Sequence, residues 1–285
     1  MTLTVNTNSA SLIGQYQLNK TQQATQQVLA ELSSGSQLTS ASVNAANSAI
    51  SQQLQAQING NNQAINNTND GISMLQTADS ALGQLQDNTQ QIQTLAIQAG
   101  DGALSASNRQ ALQQQVDQLT QSSSQIIQST QFNGTQLLNN SNSSTFQVGP
   151  NGTSSNQITV PGIDLTNTQA NGGLNGYNAN LAATNTIDIT TQANALAAQQ
   201  SAGNDLSTIS SQRATLGAVS NSFDTVVSNL QNSNLNTEAA QSRISDTDFA
   251  AATAQLTAQQ ILGRTGAATL AQANVAPQTA LSLLG

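Results

Sequence analysis

Ile58, Ile65 and Ile72 recur at seven-residue intervals, and Leu75, Leu82, Leu85, Ile92 and Leu95 carry the seam onward. A heptad run sustained over this many turns commits the chain to a long helix paired along an apolar stripe, as in coiled coils. Running from about residue 44 to 98, such a helix would extend roughly 80 Å at about 1.5 Å per residue. AGDGALSAS (99–107) breaks it with two glycines. A third helix is expected through Leu112, Val116, Leu119, Ile126 and Ile127.

The rest of the chain is arranged symmetrically about a change of character. Before the long helix, Leu18, Thr21, Thr25, Val28 and Leu32 form one amphipathic stripe, which stops at SSGS (33–36) with Gly35 as C-cap. Near the midpoint, FQVGPNG (146–152) and QITV (157–160) read as two short strands around a turn, and TIDIT (186–190) as another. Helix returns near Gln192, where Leu206, Ile209, Arg213, Leu216, Ser220, Phe223, Val227 and Leu230 alternate steps of three and four. Arg213 lies on that stripe, either packing its stem over apolar surface with its charge in water or entering a buried pairing. A last helix begins at SRISDTDFA (242–250), with Ser245 or Asp246 as its cap and Asp248 favouring the positive end of its dipole. Pro277 is expected to limit it. The fold class is therefore mainly α, an antiparallel long-helix hairpin or coiled-coil rod with a small β-hairpin region at the chain midpoint. Residues 1–43 plus 246–285 are expected to form a terminal helix pair. Residues 44–245 form a helical rod that includes the β region at about 131–190.

Composition agrees with a thin core. Aromatic residues make up 2% of the chain and charged residues 6%, against roughly 25% charged in an ordinary soluble domain. The five Lys and Arg against thirteen Asp and Glu, net charge −8, make no basic stripe for nucleic acid and disfavour an acidic membrane surface. With no Cys and no His, disulfides, thiol chemistry, zinc sites and the usual catalytic triads cannot be written. Neither an enzyme nor a cofactor is expected. No run approaches the ~20 apolar residues of a membrane span, and no cleavable signal pattern opens the chain. On these signals alone the protein reads as cytoplasmic. Both ends are nearly free of charge: residues 1–30 contain only Lys20, and residues 250–285 only Arg264.

VNTNSASL (5–12), LSSGSQLTSA (32–41), NDGIS (69–73) and STQFNG (129–134) occur in the first half. TLGAVSNSF (215–223), SRISDTDFA (242–250), LAQAN (270–274) and PQTALSLL (277–284) follow in the second. In this order, over both ends of the chain, they resemble bacterial flagellin. The resemblance implies a structural subunit that polymerises into the extracellular flagellar filament used for swimming, exported without a cleaved signal peptide. It implies as partners further copies of the chain, an export chaperone and type III export apparatus, and the filament cap and hook-associated junction proteins. In that family the terminal helices pair as a coiled coil lining the inner tube. The assembly interface would then comprise Leu3, Val5, Leu12, Ile13, Tyr16, Val28 and Leu32 at one end. At the other it would take Phe249, Leu256, Ile261, Leu262, Leu270, Leu281, Leu283 and Leu284. These ends are expected to become helical only on assembly, since neither buries enough apolar area alone to offset ~1–2 kcal/mol of backbone ordering per residue. A hook–filament junction protein and a secreted coiled-coil adhesin or translocator remain as alternatives.

Two departures from the family pattern stand out. A segment typically rich in Arg and Glu, part of the surface read by the innate immune receptor for flagellin, here supplies Gln91, Thr94 and Leu95, with Gln115 at a further acidic position. Weak receptor engagement is expected. Where the family has an Arg and a Lys-Asp-Asp cluster, this chain has Gln37, Ser42, Val43 and Asn44. Amide and hydroxyl hydrogen bonds would replace ion pairs there, and filaments less sensitive to acid and salt would follow.

Overall fold

The computed structural model describes residues 7–40, 44–167, 174 and 187–282, with side chains through Val275. Five long helices dominate: α1 (Ser9–Ser34), α2 (Ala45–Ala99), α3 (Ala106–Ser129), α4 (Gln192–Ser245) and α5 (Phe249–Ser282). Their ends follow from local chemistry. The Asn8 side chain accepts from Ser11 N–H to open α1, and Gly35 closes it in the left-handed region at φ 71°, donating its N–H to Glu31 O. Ser105 caps α3 through Asn108 N–H. Arg109 reaches back to the carbonyls of Ala99 and Asp101 and so satisfies the end of α2.

The chain forms two compact units, residues 1–58 with 235–285, and residues 59–234. In the first, α1 and α5 pack together. A methyl group on Gly14 would stand 3.2 Å from Leu270, on Gly266 3.8 Å from Leu18, and on Gly263 3.9 Å from Thr21. Each step forward on α1 is thus matched by a step back on α5, an antiparallel pair in register. The segment after α1 is also tied to the junction of α4 and α5. Gln37 N–H donates to Ser245 O at 2.8 Å and its side-chain amide to Ile244 O at 2.7 Å, while Thr247 N–H donates to Gly35 O at 3.0 Å. Gln37 thereby uses its amide within its own chain, while Ser42 and Val43 lie outside the described residues.

In the second unit, the core gathers Leu75, Leu82 and Leu85 of α2, Ile127 of α3 and Leu216 and Phe223 of α4. The Phe223 ring meets Phe146 edge to face at 5.6 Å, and Gly71 gives it room, since a methyl there would stand 2.9 Å from Phe223 Cζ. A separate cluster joins Ile92, Ala96, Val116, Ile189 and Ala195. Of the heptad positions, Ile58, Leu75, Leu82, Leu85, Ile92, Val116, Ile209, Leu216 and Phe223 are buried. Ile65, Ile72, Leu95, Leu112, Leu119, Leu206 and Leu230 are half-buried.

Among the described residues the β region consists of three two-stranded antiparallel ladders. β1 (Gln131–Phe132) and β2 (Thr135–Gln136) close a two-residue turn with Asn133 and Gly134 at φ 47° and 80°, the positive values that such a turn demands. β3 (Asn139–Asn140) pairs with β6 (Ile163–Asp164), and β4 (Ser144–Gln147) with β5 (Gln157–Val160). The fully buried Leu138, Leu165 and Leu174 anchor it.

Three local expectations change. Residues 187–189 form no strand, and Thr186 lies outside the described residues. Their backbone is held by one side chain: the Gln113 carbonyl accepts from Ile189 N–H at 2.7 Å while its amide donates to Ile187 O at 2.8 Å. The cap of α5 is Asp248, which accepts from Ala250 and Ala251 N–H, while Asp246 accepts from the hydroxyls of Ser242 and Ser245 at the end of α4. α5 continues through Pro277 to Ser282, because a proline removes one backbone bond without preventing its neighbours from staying helical. α1 and α5 are helical and paired with each other, and small residues along their seam let the backbones approach closely.

Candidate assembly surface

The α1 seam facing α5 runs through Ser11, Gly14, Leu18, Thr21, Thr25 and Val28, at steps of three and four. Ser11, Thr21 and Val28 are buried. Thr21 and Thr25 turn their hydroxyls onto the carbonyls one helical turn back, Gln17 and Thr21, which satisfies polar groups at a packed face. The facing α5 positions include Ala252, Gly263, Gly266 and Leu270. The intrachain seam is thus built mainly of small side chains.

The large side chains point elsewhere. Ile13 is 69% exposed, Tyr16 63%, Leu12 57% and Ile261 59%, and Leu29, Phe249, Leu262 and Val275 are also exposed. At 100° per residue, Leu12, Ile13 and Tyr16 lie opposite the α1 seam, and Ile261 lies opposite the α5 seam. Leu32, Leu256 and Leu270 are half-buried. Leu3, Val5, Leu283 and Leu284 lie outside the described residues, as does the side chain of Leu281.

Charge is sparse and unevenly used. Among the described residues the one ion pair joins Arg213 of α4 to Asp79 of α2, Nε to Oδ1 at 2.8 Å, with Nη2 3.3 Å from Oδ2 and Nη1 donating to Gln86 at 2.8 Å. Donating these hydrogen bonds to the Asp79 carboxylate raises the guanidinium's already high pKa. Of the two readings of Arg213, the structure selects pairing at a half-exposed site. Among the described residues no group of three or more acids could hold a metal ion, and no helix is long and apolar enough to cross a membrane. A groove between α2 and α3 brings Gln91, Thr94 and Leu95 beside Gln115, with Asp87 as the carboxylate in its lining. Periodicity gave no sign of Gln113 or of the buried Leu138, Leu165 and Leu174, because isolated residues among Asn, Gly and Thr carry no pattern.

A helix pair with small side chains inside and large apolar ones outside defines a self-assembling structural subunit. The sequence comparisons identify its family. A model of the bacterial flagellin N-terminal helical region matches residues 5–143, and one of the C-terminal helical region matches residues 199–284. The flagellin of Bacillus subtilis (strain 168) is 34% identical over 98% of this chain and 99% of its own length. Flagellin B of Vibrio anguillarum is 30% identical over the full length of both. A putative flagellar hook-associated protein from Vibrio parahaemolyticus shares the fold with a TM-score of 0.60 at 12% identity, over 72% of this chain and 100% of that one. The chain belongs to the bacterial flagellin family. It is a structural subunit that polymerises into the helical filament of the bacterial flagellum.

Proposed function

We propose that the outer faces of α1 and α5 are the surfaces through which copies of this chain polymerise, with residues 1–43 and 246–285 as the inner pair and residues 44–245 as the rod. The observation that carries this reading is the inversion of side-chain size on the terminal pair. Large apolar side chains left in water gain by being covered, about 1.5–3 kcal/mol each, and here Leu12, Ile13, Tyr16 and Ile261 are among those left uncovered. Assembly is expected to fail, or to need about tenfold or more higher protein concentration, in Ile13→Asp and Ile261→Asp. Urea unfolding of the unit containing Phe223 should be unchanged, because neither position touches it. Normal filaments from both variants, seen by electron microscopy, would sink the assignment.

The same exposed faces need cover before assembly, which favours an escort during export through a type III apparatus to an extracellular filament. The filament cap and hook-associated proteins would be its neighbours at the two ends of the polymer. A role as a hook–filament junction protein is disfavoured. The likeness to the hook-associated structure is one of fold, whereas 34% identity over nearly the whole chain is to a flagellin. A structural role without catalysis agrees with a chain that has neither His nor Cys.

A second reading rests on the α2–α3 groove. Its lining of Gln91, Thr94, Leu95 and Gln115 offers amides and a hydroxyl where the family resemblance leads one to expect Arg and acid. A receptor that reads charge there would lose charge-assisted hydrogen bonds, worth about 1.5–3 kcal/mol each, and engage this flagellin weakly.

A further inference from the structure

We infer that Asn151 is a site of self-modification, where the backbone nitrogen of Gly152 displaces the side-chain amide and leaves aspartate or isoaspartate, with Gln147 promoting the step. The turn between β4 and β5 is held on both flanks. Val148 N–H donates to Asn156 O at 2.8 Å, and Asn156 N–H to Thr153 O at 2.9 Å. Pro150 lies against α2, where a methyl group on Gly60 would stand 2.9 Å from its Cβ. Between these anchors Asn151 and Gly152 are exposed, and a side chain at Gly152 would meet open space. Among the described residues neither the Asn151 side chain nor the Gly152 N–H makes a hydrogen bond. Nothing has to be broken before the nitrogen and the amide carbon, neighbours in one chain, approach each other.

The Gly152 nitrogen gives its proton to hydroxide or water and attacks Asn151 Cγ. That C–N bond forms as the Cγ–Nδ2 bond breaks and ammonia leaves, which closes a cyclic imide. Water then opens the imide at either carbonyl. The sum is amide plus water to carboxylate plus ammonia, with no oxidant or reductant. The reaction requires negative charge on the peptide between Asn151 and Gly152, and most of that charge resides on its oxygen. That oxygen is Asn151 O, which accepts from Gln147 Nε2 at 2.6 Å, while the same amide donates to Gly149 O at 2.9 Å. A donor already aimed at an atom where charge develops lowers the barrier to forming it. Two other Asn-Gly pairs of the described residues lack this arrangement. Gly60, after Asn59, lies inside α2, where its N–H is committed to the helix. Asn133 is held at φ 47° in the tight turn between β1 and β2, a geometry that ring closure would have to undo. Conversion at Asn151 adds a carboxylate to a chain whose net charge is −8, and the isoaspartate form also lengthens the backbone of the turn.

The purified full chain, incubated in mildly alkaline buffer and then digested, reports these sites together in peptide mass spectrometry, as the mass gained when OH replaces NH2. Conversion is expected at Asn151 first, and Asn133 or Asn59 running ahead of it overturns the assignment. Gly152→Ala, which the open space admits, is expected to hold Asn151 at the level of Asn59, because a side chain on the attacking residue crowds ring closure. Undiminished conversion in that variant would mean that the Gly152 nitrogen is not the nucleophile. Gln147→Met separates promotion from restraint by its sign. Loss of the donor is expected to slow Asn151 about fivefold, the worth of one neutral hydrogen bond at an exposed site, with Asn133 unchanged. A turn merely loosened by the change would convert faster, so an equal or faster rate removes Gln147 from the step. Gln147→Lys, which keeps a donor there, is expected to restore most of the rate, and a rate as slow as that of Gln147→Met counts against donation.

Discussion

Gly71 is a residue whose absent side chain decides a packing problem. Helix propensity alone favours alanine there by about 1 kcal/mol. The methyl would, however, press on the edge of a fully buried Phe223 ring that is itself fixed against Phe146, and overpacking costs about 1–3 kcal/mol. Overpacking should win, so Gly71→Ala is expected to lower the thermal midpoint by a few degrees in calorimetry. Asp188 supplies the pH-sensitive case. Its carboxylate accepts from the Thr190 hydroxyl at 2.6 Å, from Thr190 N–H at 2.8 Å and from the Asn194 amide at 2.6 Å. The Thr190 hydroxyl leads the causes that hold its pKa below the usual 3.8. The unfolded chain then takes up the proton first, so this contribution is complete above the ordinary carboxylate value and is lost as pH falls below it. Urea midpoints measured from pH 6 down to pH 3 should fall less in Asp188→Asn than in the unaltered protein.

At the scale of elements, the seam between α2 and α4 is polar at one level. Asn61 is 1% exposed and donates to Asn234 at 2.9 Å, and Asn234 donates to Asn62 at 2.7 Å. An amide pair of this kind fixes which turns of two helices face each other, at a cost in stability against an apolar pair. Asn61→Ala should destabilise by about 1–3 kcal/mol, since it strands the buried Asn234 carbonyl. The double change Asn61→Leu, Asn234→Leu should recover stability while broadening the helix–helix register, to be read by urea unfolding and by amide exchange. These amides also mark how far the sequence could be read. Long helices, the α2–α4 seam and the motif-bearing ends were legible, because heptads and caps repeat at fixed spacing. The strand expected at TIDIT was not legible, since the partner of its backbone is the side chain of Gln113, seventy-six residues before Ile189, and no local pattern announces it. The terminal pair was half legible. Its apolar residues were found and Thr21 and Thr25 fell on the α1 stripe, but the outward direction of the large residues depends on glycines at the seam, which offer no side chain to read from sequence.

For the whole molecule, the near absence of charge is expected to be felt by whatever meets the filament. Restoring charge in the α2–α3 groove with Gln91→Arg and Gln115→Glu should raise potency in a receptor reporter assay at least tenfold, taking about 1.5 kcal/mol for each charge-assisted bond. Equal potency before and after the change would show that the neutral groove is not what limits recognition. The terminal pair also dictates where the chain can grow. One added residue within α1 or α5 turns every later side chain by about 100°, driving large apolar groups into a seam sized for Gly, Ser and Thr and exposing the small ones. The turn at Gly152 meets no such limit, since a side chain there would find open space, whereas one at Gly149 would collide with Asn156. Length variation and grafted epitopes therefore belong at Gly152, while the two ends must keep their residue count unchanged.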